Sequence, residues 1–317
     1  MRMALLAVCS TLLIFAAANA VASVLMMLHW RSRRAAWMRR SASSLLFYRC
    51  LPAAFSAALA WLTVLPSFIL HESRDQVEAV SLPLAIGAAA GLAILAAAAV
   101  RGVVAIRRTR LSLRRWLLSA RSTVVPGWSG PAWLVEPDSA GVCVVGFRHP
   151  VLLVARRVVE TCTSGELTGV AAHETAHAAT GDNWKRLILR GMPDVVGMTP
   201  IAGQLERVWR ARAEEEADAA AVSTHGANGV EIAGALVKLA RWHVGPGLPL
   251  ATSIDAGGSL ERRVRKVLED VSPVPDARRS RWTVLGLAVG VSILLGTLPP
   301  FSRSVHLVVE ALVQALV

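Results

Sequence analysis

Four stretches of the chain are free of charge over about the length of a membrane crossing: Leu5 to Leu28, Cys50 to Leu70, Ser81 to Val100 and Trp282 to Phe301. A helix needs ~20 apolar residues to cross the hydrocarbon core, so these runs predict four transmembrane helices. Pro52, Pro66 and Pro299-Pro300 fall near run ends, where the missing N–H costs least. The first run has a rival reading, because Ala18-Asn19-Ala20 has the small residues of a signal-peptide cleavage site. Apolarity continues past it to Leu28 and stops only at Arg31, Arg33, Arg34, Arg39 and Arg40. A retained span is therefore expected.

The pattern changes between the third and fourth runs. Val142 to Phe147 and Val151 to Val154 are apolar and β-branched, broken by Arg148-His149-Pro150, and predict two short strands joined by a turn. Thr163-Ser164-Gly165-Glu166 has the form of a capping box and starts a helix that runs towards Gly181. A second helix is expected from about Gln204 to Ser223, ended by Thr224-His225-Gly226. The apolar segment Val195 to Ile201 is too short to cross and is expected to pack in the core or touch the membrane surface. Residues 243–260 read as a loop, and 259–270 as a charged helix. In the tail, His306, Glu310 and Gln314 form a polar stripe on an apolar helix, suited to the outer interface or to packing on the bundle.

Composition agrees with a membrane protein. Of 317 residues 54% are hydrophobic and 18% charged, against about 25% charged in soluble domains. Disorder is excluded, because the chain has too much apolar surface to bury. The four cysteines are far apart and lack zinc-finger spacing, and read as small buried hydrophobes. Tyr48 and the ten Trp suit interface and core roles. The net charge of +12 is uneven. Arginines number five in 31–40, six in 101–115 and three in 278–281, whereas the opposite face has only Arg2, Arg74 and Arg303. The positive-inside rule then puts the N-terminus outside and about 107–281 in the cytoplasm. From Trp116 to Ala277 there are 16 basic and 18 acidic residues, a net of −2. The excess charge therefore lies in membrane flanks, and nucleic acid is not an expected partner.

The chemistry is concentrated in His173-Glu174-Thr175-Ala176-His177. Residues i and i+4 share a helix face, with Cβ atoms about 5–6 Å apart, and two imidazoles so placed can bind one zinc. Glu174 is then positioned as general base without being a ligand. A third ligand is sought in Glu214-Glu215-Glu216-Ala217-Asp218, since catalytic zinc commonly takes two His and one carboxylate. Glu214 and Asp218 share a face, so one can ligate while the other orients a ligating His. The competing reading is a solvated charge run with Arg210–Glu214 and Arg212–Glu216 pairs. Asp182 either orients a ligand His or caps a following turn.

His-Glu-Thr-Ala-His, Asp182 five residues on, and Glu-Glu-Glu-Ala-Asp together resemble the membrane zinc peptidases of the BlaR/MecR (β-lactam sensor-transducer) type. The HtpX and CAAX-prenyl endopeptidase families share this HExxH…ExxAD logic more distantly. The resemblance implies ligation by His173, His177 and Glu214, catalysis by Glu174, support of the ligands by Asp218 and Asp182, and one Zn2+ per chain. It also implies that Gly146 to Pro150 belongs to an edge strand able to hold an extended peptide. The expected architecture is mainly α and membrane-embedded, with an α+β zincin-like domain between spans three and four. Residues 1–106 would form a three-helix transmembrane region (spans about 5–28, 48–70 and 81–103). Residues 107–281 would form the cytoplasmic peptidase domain, and 282–317 the fourth span with a short outer tail. About 16 residues follow Phe301, so β-lactam sensing by this chain is not expected.

The expected function is endoproteolysis of a cytoplasmic or membrane-proximal protein, such as a regulatory repressor. The bilayer, a protein or peptide substrate and a separate sensor or repressor protein are the expected partners. A non-catalytic signalling or scaffold protein retaining the fold is the alternative. A transporter ranks last, since the spans are almost free of the ionisable residues that transport pathways use.

Overall fold

The computed structural model describes residues 2–71, 80–136, 141–241, 252–253, 260–269 and 299–315. The expected fourth span and the 243–260 loop lie almost wholly outside them. The protein is mostly helical, with one small mixed sheet. Among the described residues, three helical segments are long and apolar enough to cross a membrane: Ala4–Ser32, Ala42–His71 and Leu82–Leu117.

The first segment belongs to α1 (Arg2–Ser32), which a short α2 (Arg34–Trp37) follows. The second is composite: α3 (Ala42–Ala57), a π-helical stretch (Ala58–Val64) and α4 (Leu65–His71). Pro52, expected near a helix end, lies inside α3. The Ser56 hydroxyl donates to the Pro52 carbonyl (2.7 Å), and the π-helical stretch follows. The third segment is α5 (Leu82–Leu117). At ~1.5 Å per residue it is about 54 Å long, well beyond the hydrocarbon core. The expected division at 106/107 therefore falls inside an unbroken helix, because the basic stretch after Val100 continues as helix rather than loop. Helices α1 and α5 meet at Gly91, where a Cβ would lie 2.5 Å from the Leu12 carbonyl oxygen. Only glycine permits that approach, as at many membrane helix contacts.

The sheet comprises β1 (Arg121–Thr123), β2 (Ala132–Val135), β3 (Val142–Val145), β4 (Val151–Ala155) and β5 (Thr252–Ser253), in the order β1-β2-β4-β3-β5. The expected hairpin is present as β3–β4, paired antiparallel from Val142↔Val154 to Val145↔Val151. Its outer edge is partly taken, since β5 pairs with Cys143 and Val144. After α6 (Arg156–Thr161) come α7 (Ser164–Thr180), α8 (Asp182–Gly191), a 3-10 turn (Val196–Met198) and α9 (Pro200–Ser223). Then follow α10 (Gly229–Arg241), α11 (Leu260–Leu268) and α12 (Pro299–Ala315). One core joins the sheet to α7 and α10 through Val144, Leu152, Leu153, Val170 and Ile232. A second joins the bundle to α9 through Trp30, Trp37, Leu45, Leu205 and Trp209. Tyr48 packs beside that second core, its ring 5.3 Å from Trp37. Helix α12 packs on α4, with His306 5.1 Å from the Phe68 ring and Ser302 2.7 Å from His71, so of the two placements open to the tail it takes the bundle. Cys50 and Cys143 are buried, but Cys9 and Cys162 only partly so.

The 192–198 segment sits between the spans. Asn19 of α1 donates to Ser56 (2.9 Å) and to the Pro193 carbonyl (2.9 Å), and accepts from the Val195 N–H (3.0 Å). Asn19 is thus a buried structural residue in mid-helix, which argues against cleavage beside it. Arg49 of α3 pairs with Asp194, both fully buried. Arg101 of α5 donates to the carbonyls of Arg190 (3.1 Å) and Met192 (2.7 Å). Each span holds the same short segment. Asp194→Ala strands the Arg49 charge and is expected to cost about 3–5 kcal/mol, whereas the apolar pair Arg49→Met with Asp194→Leu recovers much of that loss. Thermal unfolding in detergent measures both, and a single variant as stable as the parent would refute burial of the pair.

Candidate metal centre

Helix α7 begins with a complete capping box: the Thr163 side chain accepts from the Glu166 N–H, and the Glu166 carboxylate accepts from the Thr163 N–H. Ten residues on, His173, Glu174 and His177 face inward and are buried. Gly181 ends the helix in the left-handed region (φ 68°), a conformation costly for any residue with a Cβ. The resulting reversal starts α8 at Asp182, which returns to His177 with Oδ2 2.7 Å from Nδ1.

Helix α9 supplies the opposite wall. Asp218 Oδ1 lies 2.8 Å from His173 Nδ1. Each Nδ1 thus faces a carboxylate, hydrogen-bonded in the case of His177 and Asp182, which turns the Nε2 atoms into the space between them. The two Nε2 atoms are 3.1 Å apart. Glu214 completes the group, with Oε2 3.5 Å from His173 Nε2 and Oε1 3.7 Å from His177 Nε2. Both Glu214 oxygens are buried and receive no hydrogen bond. Potential ligand atoms of His173, His177 and Glu214 all lie within 4.8 Å of one another, so the group could hold a metal ion. Two basic nitrogens and an undonated carboxylate pointing at one spot are a donor set that a divalent cation fits.

Electrostatics describe the same cup. Burial opposes charge on His177, yet Glu214 and Asp182 outweigh it and push its pKa up to about 10. Burial would also raise Glu214, but His177, His173 and Arg263 hold it well below the carboxylate range. The site is a sink for positive charge. Glu174 differs: burial dominates and pushes its carboxyl up to about 7. Its Oε2 accepts from the Val144 N–H of β3 (3.0 Å), and its buried Oε1 receives no hydrogen bond.

The three consecutive glutamates have separate duties. Glu214 faces the cup; Glu215 binds Arg212 (2.6 Å), Lys266 (2.8 Å) and Arg262 (3.0 Å), joining α9 to α11. Glu216 accepts from the Ala42 N–H at the start of α3 (2.7 Å). Against the competing reading of a solvated charge run, Arg212 meets Glu215 rather than Glu216, and Arg210 lies 3.6 Å from Glu206. His225 is exposed at the end of α9, away from the group just described.

Three further residues escape a reading of the motif alone. Arg263 of α11 grips Asp218 with two hydrogen bonds (2.7 and 2.9 Å) and lies 3.4 Å from Glu214. It occupies the buried stripe with Val264 and Val267, a face where a charge needs a buried partner. Arg186 is buried 4.0 Å from Glu214, on the stripe of Asn183 and Leu189. Asn183 donates to the carbonyls of Val144 (3.1 Å) and Gly146 (3.0 Å), tying α8 to β3. Beside it, the partly exposed rings of Phe147 and Trp184 pack 4.4 Å apart at the rim. No protein-family model matches this chain, and no curated protein matches it.

Metal analysis of purified protein tests the grouping. His173→Ala, His177→Ala and Glu214→Gln should each abolish stoichiometric metal. Asp182→Asn and Asp218→Asn should weaken affinity about 10- to 100-fold while leaving the ligands in place. Full metal in the Glu214 variant would remove it from the ligand set.

Proposed function

We propose that the protein is an integral-membrane zinc endopeptidase that hydrolyses peptide bonds in a cytoplasmic or membrane-proximal protein. The observation that carries this reading is the convergence of His173, His177 and Glu214 with Glu174 as the adjacent, differently tuned carboxylate. His173, His177 and Glu214 would hold zinc, with Asp218 and Asp182 fixing the imidazoles. Zinc, when bound, supplies Lewis-acid polarisation of the scissile carbonyl and activation of the attacking water.

Glu174 moves the proton. Its Oε2 is occupied by the Val144 N–H, which fixes the carboxylate and leaves Oε1 to accept from the attacking water. A carboxyl with a pKa near 7 can take that proton and pass it to the leaving amine. The substrate main chain is placed along β3, whose sheet edge suits an extended peptide. At Cys143 and Val144 it would take the place of β5. The Phe147–Trp184 rim then meets a side chain of that peptide. The placement of the catalytic face in the cytoplasm follows from the arginine-rich flanks, and a repressor as substrate follows from the resemblance to sensor-transducer peptidases.

Comparing the parent with Glu174→Gln in detergent tests the assignment. The variant should keep stoichiometric zinc while cleavage of a casein or peptide-library substrate falls about 10²–10⁴-fold. Equal cleavage by both would exclude Glu174 as the base. Zinc in both with no cleavage by the parent would favour the scaffold reading.

A further inference from the structure

The first turn of α9 separates two cavities at the end of the helical bundle. One, of about 440 Å³, lies between α5 and α9 and is lined by Arg101, Val104, Ala105, Arg108, Pro200 and Gly203 among others. The other, of about 520 Å³, lies on the α1 side and is lined by Met27, Trp30, Arg31, Arg34, Ile201 and Gln204 among others. Thr199 and Pro200 belong to both.

Their linings combine apolar and basic residues. On the α1 side Met27 and Trp30 precede Arg31 and Arg34, and on the α5 side Val104 and Ala105 lie between Arg101 and Arg108. Position along the helix gives the depth. Arg101 lies 19 residues beyond Leu82, about 28 Å at ~1.5 Å per residue, close to the ~30 Å thickness of the hydrocarbon. Arg108 is one further face-repeat along, about 10 Å deeper into the headgroup layer. Arg31 likewise follows the apolar run of α1. Arg31, Arg34 and Arg108 are exposed and pair with no carboxylate among the described residues. Glu206, the acid in these linings, is already bridged by Arg190 (2.7 Å), so it neutralises neither cavity.

We propose that these two cavities bind anionic phospholipid, one headgroup held by Arg31 and Arg34 and the other by Arg108 with Arg101 behind it. The apolar wall takes the glycerol and first acyl methylenes, and the guanidinium groups take the phosphodiester. A zwitterionic headgroup fits less well, because its ammonium would meet several arginines without a free acid. The bound lipids would brace the start of the helix that carries Glu214 and Asp218. The proposal stands on the cavities and their charge, and does not depend on peptidase activity.

The test uses the full chain in nanodiscs of equal parts phosphatidylcholine and phosphatidylglycerol, followed by detergent extraction and mass spectrometry of retained lipid. Phosphatidylglycerol should be enriched. Arg31→Gln, Arg34→Gln and Arg108→Gln should each lower the enrichment about fivefold. The paired control Arg110→Gln with Arg114→Gln removes exposed charges from other faces of α5 and should leave it unchanged. These side chains are exposed, so loss of folding is not expected, and an unchanged melting temperature verifies it. Absence of enrichment, or an equal loss in the control, would overturn the proposal in favour of diffuse surface charge. Displacement of the retained lipid by millimolar inorganic phosphate would overturn it in favour of a soluble anion.

Discussion

Two imidazole nitrogens 3.1 Å apart, beside a buried carboxylate whose oxygens receive no hydrogen bond, would be an unfavourable cluster without a shared positive charge. Burial removes the water that would otherwise satisfy these atoms, at several kcal/mol for an uncompensated ion. The surrounding structure is arranged to hold that cluster open. Asp218 and Asp182 fix the two rings, Arg263 and Lys185 fix the two aspartates, and Gly181 makes the turn that brings Asp182 back. The capping box at Thr163 and the contact of Glu174 with β3 set the pitch and position of α7. A change in Asp182 or Asp218 acts on the group through ring orientation, and one in Arg263 acts also through its contact with Glu214.

Helix α9 carries this arrangement into the helical bundle. Its first half packs with Trp209, Leu205 and Ile201 against Trp30, Trp37 and Leu45, and its second half presents Glu214 and Asp218 to α7. Glu216 adds a hydrogen bond to the start of α3. The centre and the bundle therefore share one rigid rod. The segment before that rod is held by Asn19, Arg49 and Arg101, so three spans fix the position of one wall of the site.

Much of this was legible in the chain. The capped helix with its His-Glu-Thr-Ala-His sequence, the two candidate carboxylates at i,i+4 on the next helix, and the β-branched hairpin all follow from local periodicity. So do the first three membrane segments. Arg263 was readable in principle, since it falls on the apolar stripe of a short amphipathic helix, although its i,i+4 neighbours suggested a solvated face. The destination of 192–198 was not readable. It depends on single polar residues in three separate helices, and hydropathy averages each of them away. The separate partners of Glu214, Glu215 and Glu216 were hidden for a similar reason: adjacent residues on a helix point about 100° apart, and only the packed neighbours decide what each meets.

The clasp on 192–198 also orders the life of the chain. Asn19, Arg49 and Arg101 are synthesised and inserted long before the segment they hold, and their polar groups await partners that emerge some ninety residues after Arg101. Docking of Pro193, Asp194 and Val195 can therefore only follow synthesis of α8. Until it occurs, α9 has no fixed starting point and the wall bearing Glu214 is not set. The wall that bears Glu214 and the packing of the bundle are therefore coupled through one short segment.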